Sequence, residues 1–260
     1  MPEVSGDEKV SGPSLEELMR VAERELKAAP HPFWLTEHGW GHTERVLTWA
    51  SILGQIKGLS DAEMRILREA ALFHDIGNRI DRGTHHACSA KMVLQMCGLD
   101  PNEIPQECRG EIKTFERLGL PEDECRAVAD IVLWHRKKMG PVDMSETRIV
   151  GGEVVRTGLL KALLRVADVL DIDWRRARAY EVVREKLPPE SVPHWEGHVA
   201  IKGEVFEYEE GEPAEIKLFV SSEEKAAFQV GELKKDLAGS FPDWKVETIK
   251  MERCEDWIHC

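Results

Sequence analysis

A histidine and an aspartate stand side by side at the polar end of an apolar run in Leu72-Phe73-His74-Asp75-Ile76-Gly77. Neighbouring residues on a helix point about 100° apart, so both reach inward only at a helix end. Something there must want an imidazole nitrogen and a carboxylate oxygen together, and a divalent cation does. The dipeptide alone also fits a helix-end histidine beside a carboxylate partner, so the chemistry depends on ligands elsewhere. Inward-capable polar residues recur at helix ends or inside apolar stretches: His42, His85 or His86, His135 and Asp168. Asp168 sits between Ala167 and Val169, and a bare carboxylate buried there would cost several kcal/mol. Arg165, one turn earlier, is the structural alternative as its partner, and a helix C-terminus is the alternative for His135.

Each of these residues needs an element to hold it. Ser14-Leu15-Glu16-Glu17 is a capping box, followed at helical spacing by Leu15, Leu18, Met19, Ala22 and Leu26 until Pro30 and Pro32 stop the run. A second helix opens at His38-Gly39-Trp40-Gly41-His42 and runs to about Gly58. Another capping box, Ser60-Asp61-Ala62-Glu63, starts the helix carrying Ile66, Leu67, Ala70, Ala71 and Phe73 down to His74-Asp75. Gly77 and Gly83 break the chain into a loop with Arg79, Asp81, Arg82, His85 and His86. The pattern predicts further helices over 87–97, 105–118, 121–138, 158–173 and, capped by Asp173, 174–187. Pro188, Pro189 and Pro193 interrupt it. Alternation then predicts strands over 199–205, 215–220 and 245–251 around an amphipathic helix, 221–238. The fold class is mainly α: a disordered lead-in (1–13), a helical metal-binding domain (14–187) and a small α+β C-terminal appendix (188–260).

The 260 residues are 42% hydrophobic and 32% charged, an ordinary globular composition. The longest apolar candidate, 159–172, is interrupted by Lys161, Arg165, Asp168 and Asp171, too short and too charged to span a bilayer. No secretory pattern opens the chain, which points to the cytoplasm. Six cysteines without a CxxC pair read as reduced thiols. The net charge of −13 opposes long nucleic acid and anionic lipid, so a phosphate-bearing ligand must be met by a local cationic patch or a metal.

The H…HD…D series across a helical bundle resembles the HD superfamily of metal-dependent phosphohydrolases, over roughly residues 38–173. His42, His74, Asp75 and Asp168 match the signature metal ligands. His38-Gly-Trp-Gly-His42-Thr-Glu-Arg-Val resembles an H-x-x-x-H-x-x-R-V opening, and His85-His86-Ala-Cys-Ser-Ala a segment with a third histidine before small residues. Trp134-His135-Arg136-Lys137 and Leu164-Arg165-Val166-Ala167-Asp168 are similar to later blocks of the family. The resemblance implies an HD-type helical bundle holding one divalent ion, Mn, Fe, Co, Ni or Mg, or two if His85 and His135 complete a second site. Many members have lysine where Asn78 stands; Arg79 or Arg82 is the candidate replacement.

Such an ion activates water for attack on phosphorus. His85, His86, His135 and Arg165 are the catalytic candidates, the histidines serving equally as ligands or as donors to phosphate. His38, Arg79, Arg82, Arg136, Lys137 and Arg175 are the substrate-binding candidates, with Arg176 and Arg178 beside the last. Trp34, Trp40 and Trp134 are core residues or a stacking platform. His194, Trp195 and His198 read as structural or surface, and Cys254, His259 and Cys260 as a weak metal candidate. The leading function is hydrolysis of a phosphoester or phosphoanhydride of a small substrate, a nucleotide foremost, with a homo-oligomer compatible. The alternatives are a di-iron oxygenase of the same fold and a non-catalytic nucleotide-sensing or scaffolding module.

Overall fold

The computed structural model describes residues 12–28, 35–114 and 116–251. Trp34, Cys254, His259, Cys260 and most of the expected lead-in lie outside the described residues. Six helices form the bundle: α1 (Leu15–Lys27), α2 (Trp40–Ile56), α3 (Asp61–Phe73), α4 (His85–Met96), α5 (Glu122–Leu133) and α6 (Thr157–Leu170). Both capping boxes form, with the Ser14 and Ser60 hydroxyls accepting from the backbone N–H of Glu17 and Glu63. Leu53, Ile66, Leu67, Phe73, Ile131, Leu160 and Leu163 interlock between the helices and are fully buried. A hairpin of β1 (Arg148–Val150) and β2 (Glu153–Val155) turns through Gly151 and Gly152 at φ 58° and 82°. Two successive positive φ values are what such a two-residue turn requires, and only glycine adopts them freely.

The rest of the chain is α7 (Tyr180–Val183), α8 (Val192–Ala200), β3 (Ile201–Glu207), β4 (Glu215–Val220), α9 (Glu223–Ser240) and β5 (Lys245–Lys250). β4 is central, antiparallel to β3 and parallel to β5 across the α9 crossover. Ile216, Leu218 and Val220 alternate onto its buried face. Their cluster is continuous with that of the bundle and takes in Leu233 and Leu237 of α9. The fold is mainly α with a small C-terminal α+β part, and no described helix is long and apolar enough to cross a membrane.

Several elements differ from expectation. The described residues of 105–118 form no helix; after a 3-10 turn at Pro101–Glu103 the chain runs irregularly along α4. Its partners are tertiary: Leu118 enters the core, its N–H donates to the Met96 carbonyl (2.8 Å), and the Arg109 N–H donates to Thr84 Oγ1 (3.1 Å). Cys88–Cys108 and Cys97–Cys125 are disulfides, with Cα–Cα distances of 4.9 and 6.5 Å, so these four cysteines are not thiols. Partners 20 and 28 residues apart leave no local signature. Cysteine content therefore lends no support to a cytoplasmic home.

The α5 helix stops at Leu133, and the expected 174–187 helix is broken into a 3-10 turn (Trp174–Ala177), α7 and a second 3-10 turn (Arg184–Lys186). Asp173 does cap the first of these, accepting from the Arg175 N–H. Pro193 lies in the first turn of α8, where its missing N–H costs nothing, and Val199 and Ala200 belong to that helix, not to a strand. His85 and His86 open α4 and are not loop residues.

Glu69 of α3 is 1% exposed, and its carboxyl lies against that of Glu124. Burial first, and the facing Glu124 second, push its pKa from 4.5 up to about 9. The folded chain thus keeps a proton that the unfolded chain releases above about pH 4.5, so this site loses stability as pH rises from there towards 9. Glu69→Gln should raise the Tm by several degrees at about pH 8 and leave it unchanged at about pH 4. A melting difference that does not grow with pH contradicts a buried neutral carboxyl. Thiol labelling under native, non-reducing conditions should leave Cys88, Cys97, Cys108 and Cys125 unmodified.

Candidate metal centre

Five helix ends converge at one pole of the bundle. His42 lies in the first turn of α2, His74 caps the end of α3, His85 begins α4, His135 follows α5 by two residues, and Asp168 is in the last turn of α6. Asp75 leaves the helix at φ −108°, ψ 2°, which turns its carboxylate inward. The following 3-10 turn, Ile76–Arg79, is pressed onto α4: a Cβ on Gly77 would come within 2.3 Å of the His85 carbonyl oxygen and 2.5 Å of the Ser89 nitrogen. Only glycine permits this approach, and the Gly77 N–H donates to Ser89 Oγ (2.8 Å). Asp75 is thereby held against the first turn of α4.

The carboxylate of Asp75 faces two groups of ligands. Its Oδ2 is 3.7 Å from Nε2 of both His42 and His74, while its Oδ1 is 3.2 Å from Nε2 of His85 and 3.8 Å from that of His135. Asp168 Oδ1 lies 3.2 Å from His42 Nε2 and 3.9 Å from His74 Nε2. His42, His74 and Asp168 form one group and Asp75, His85 and His135 another, the ligand atoms of each lying within 4.8 Å of one another.

The other ring nitrogens explain why the Nε2 atoms are aimed inward. His74 Nδ1 meets the Ala71 carbonyl (2.8 Å), His85 Nδ1 the Arg82 carbonyl (2.8 Å) and His135 Nδ1 the Val132 carbonyl (2.6 Å). His42 Nδ1 meets Asp171 Oδ2 (2.5 Å). Since oxygen can only accept, each Nδ1 carries the proton and each Nε2 a lone pair. Yet the Nε2 atoms of His42 and His74 are 3.2 Å apart, and those of His85 and His135 3.0 Å. Facing lone pairs at that separation repel unless a proton or a metal ion lies between them.

Charge fits as well. Burial, with the neighbouring His85 and His74, holds His135 well below its ordinary pKa, and burial lowers His85 too, so both stay neutral as ligands must. For His42, burial and Arg176 act downward, but the hydrogen bonds that Asp168 and Asp171 accept from its protonated ring outweigh them and raise its pKa. Asp75 is buried, which acts upward, yet His74 and His85 keep it ionised, well below the usual carboxylate range. Asp171 is held in turn by Arg45 Nε (2.5 Å) and fixes the tautomer of His42. The donor set, nitrogen and oxygen without thiolate, suits a divalent ion.

A cavity of about 680 Å³ opens onto this pole, with His135 and Asp168 in its floor. Among the expected substrate contacts, His38, Arg82, Arg136 and Lys137 line it, and Arg176 does too. Lys137, however, is paired with Glu232 and Asp236 of α9, both at 2.9 Å. Arg165 also lines the cavity, but its guanidinium donates to the carbonyls of Trp134 (2.6 Å), Gly140 (2.8 Å) and Arg136 (3.0 Å), bracing the turn after α5. Arg175 is engaged by Asp173 and Glu204, and Arg79 by Glu25 and the Lys113 carbonyl. His86 lies behind His85, outside both ligand groups, and burial lowers its pKa to about 3. Trp40 and Trp134 pack against the core.

Asn78 accepts from Arg82 Nη1 (2.8 Å), so of the two arginines considered as replacements for a lysine there, Arg82 is the one turned to the cavity. Sequence reasoning missed Asp171, whose signal was its position one turn after Asp168. It also missed the second wall, where His194, Trp195 and His198 of α8 and Gln229, Glu232 and Asp236 of α9 face the cavity. His198 is buried, with Nδ1 2.5 Å from the Ile172 carbonyl, and is not a surface residue.

A helical bundle holding this histidine and aspartate set is that of an HD-domain protein. More narrowly, the HD-CE family model matches residues 29–244, and the chain belongs to that family. No curated protein matches the chain. Among solved structures, one similar chain is a predicted HD superfamily hydrolase from an uncultured Thermotogales bacterium, 21% identical, covering 72% of this chain and 85% of that one at a TM-score of 0.41. Another is Bacillus subtilis YpgQ in complex with ADP, 18% identical, covering 66% of each chain at a TM-score of 0.37. The family and the His/Asp groups together support a metal-dependent hydrolase.

If Asp171 orients His42 as described, Asp171→Asn should weaken metal retention by about 10- to 100-fold without unfolding the chain. Metal content after dialysis against graded chelator, alongside the melting curve, checks this; undiminished retention would remove Asp171 from the site.

Proposed function

We propose that the protein is a phosphohydrolase that cleaves a phosphoester or phosphoanhydride of a small substrate, most naturally a nucleotide. The observation that carries this reading is the Asp75 carboxylate set between two ligand groups, beneath a cavity that His135 and Asp168 floor and Arg82, Arg136 and Arg176 edge. His42, His74, Asp75 and Asp168 would hold one divalent ion, and Asp75, His85 and His135 a second. Mn, Fe, Co, Ni or Mg suits this donor set, and such an ion when bound lowers the pKa of water and polarises a phosphoryl oxygen. The chain's own residues do the rest. The four Nδ1 hydrogen bonds fix the imidazoles, and Arg82 and Arg136 place cations where a phosphate enters. The walls from α8 and α9 enclose a small molecule better than a long nucleic acid, as the net charge of −13 also favours.

The direct test is metal content followed by turnover. Wild-type protein should carry two ions per chain and release product from a panel of nucleotides and phosphoesters, and Asp75→Ala should lose both properties. Inactivity across the panel with Mn²⁺, Mg²⁺, Co²⁺ and Ni²⁺ overturns the reading. The completed second group also favours one other chemistry, a di-iron oxygenase, which full activity in iron-free protein eliminates. A non-catalytic nucleotide-sensing or scaffolding module predicts ligand binding that Asp75→Ala leaves without any rate to change.

A further inference from the structure

Two cations in the cavity are brought together by a third residue. His38 Nδ1 is 2.6 Å from the Thr36 carbonyl oxygen, so it carries the ring proton and Nε2 presents a lone pair. That one nitrogen lies 2.6 Å from Arg82 Nη2 and 2.9 Å from Arg176 Nη2. A neutral imidazole therefore holds two permanently charged guanidinium groups side by side. Their remaining partners do not balance the charge equally. Arg176, only 7% exposed, leans on Asp171 (3.5 Å), but Arg45 already claims that carboxylate at 2.5 Å, and Arg176 Nε is buried with no hydrogen-bond partner among the described residues. Arg82 has the neutral acceptors Asn78 Oδ1 (2.8 Å) and His38, and among the described residues no carboxylate lies within ion-pair distance of it.

The position of the pair is tied to the metal pole at both ends. Arg176 Nη1 reaches the same Asp171 Oδ2 (3.5 Å) that accepts from His42 Nδ1, and the Arg82 carbonyl accepts from His85 Nδ1. Both guanidinium groups line the same cavity as Asp168 and His135. Two planar forks sharing one site and short of an anion match the geometry of an oxyanion, as paired arginines commonly do.

We propose that His38, Arg82 and Arg176 form an oxyanion subsite beside the ligand groups, taking a phosphoryl group of the substrate other than the one under attack. The substrate class is then one with two phosphoryl groups near each other, not a lone monophosphate ester. The second part rests on the hydrolase reading above; the existence of the subsite does not. His38 acts as a positioning residue for the two arginines.

Inorganic phosphate titrated calorimetrically into the full chain, both metal-loaded and stripped of metal, tests the subsite. Wild type should bind phosphate in both states, and Arg82→Gln should weaken binding at least about tenfold in both, with metal content and melting unchanged. Arg82→Lys, which keeps the charge and loses the fork, should fall between them and carries the test if Arg82→Gln does not fold. Lys138→Gln, at the exposed rim of the cavity, should change binding by no more than about threefold. Phosphate binding unaltered in the Arg82 variants, equally weakened by Lys138→Gln, or absent from stripped wild type overturns the subsite. With metal-loaded enzyme, Arg82→Gln should also cut the preference in kcat/KM for a bisphosphorylated over a monophosphorylated form of one alcohol by about tenfold. An unchanged preference overturns the substrate class. Lack of turnover on both forms counts against the hydrolase reading alone, since the titration still decides the subsite.

Discussion

The arrangement depends on one carboxylate serving two sides. Asp75 places one oxygen towards His42 and His74 and the other towards His85 and His135, and four helix ends must meet for that to happen. The ends of helices are suited to this task because their last carbonyls have no intrahelical donor. The Ala71 and Val132 carbonyls, near the ends of α3 and α5, receive the Nδ1 protons of His74 and His135 three residues on. A carbonyl at the helix end becomes the device that sets the tautomer. Gly77 closes the construction, since any side chain there would push the Asp75 turn off α4.

Around this pole the cations divide by what they touch. Arg165 is spent on three backbone carbonyls, Arg45 on Asp171 and Glu37, and Lys137 on two carboxylates of α9. These hold the walls in place. Arg82 and Arg176 differ because their charge is not fully answered by the chain itself, and that difference is invisible in a count of basic residues.

The sequence made legible whatever is written in short-range pattern. The capping boxes at Ser14 and Ser60 mark real helix starts, and the polar residues stranded among leucines, His74-Asp75, His135 and Asp168, do converge. Distant partners were not legible. Nothing near Lys137 announces Glu232, 95 residues on, and nothing near Cys88 announces Cys108. The segment 105–118 spaces Cys108, Ile112 and Leu118 as a helix would, but the disulfide to Cys88 and the backbone contacts with the ends of α4 settled its path where propensity could not. His194 and His198 read only as structural or surface residues, away from the site, because the packing of α8 beside the turn that begins at Trp174 is a tertiary fact.

The cavity is assembled from two stretches of chain with separate duties. The residues of the two ligand groups come from α2 to α6 and the turns that follow them, whereas the opposite wall is contributed by α8 and α9. Drift in that wall, at His194, Gln229 or Glu232, alters which molecule fits without touching a ligand or the hydrogen bonds behind it. Descendants of such a chain can therefore exchange substrates while inheriting the same reactive pole, and selectivity becomes a trait that evolves on its own.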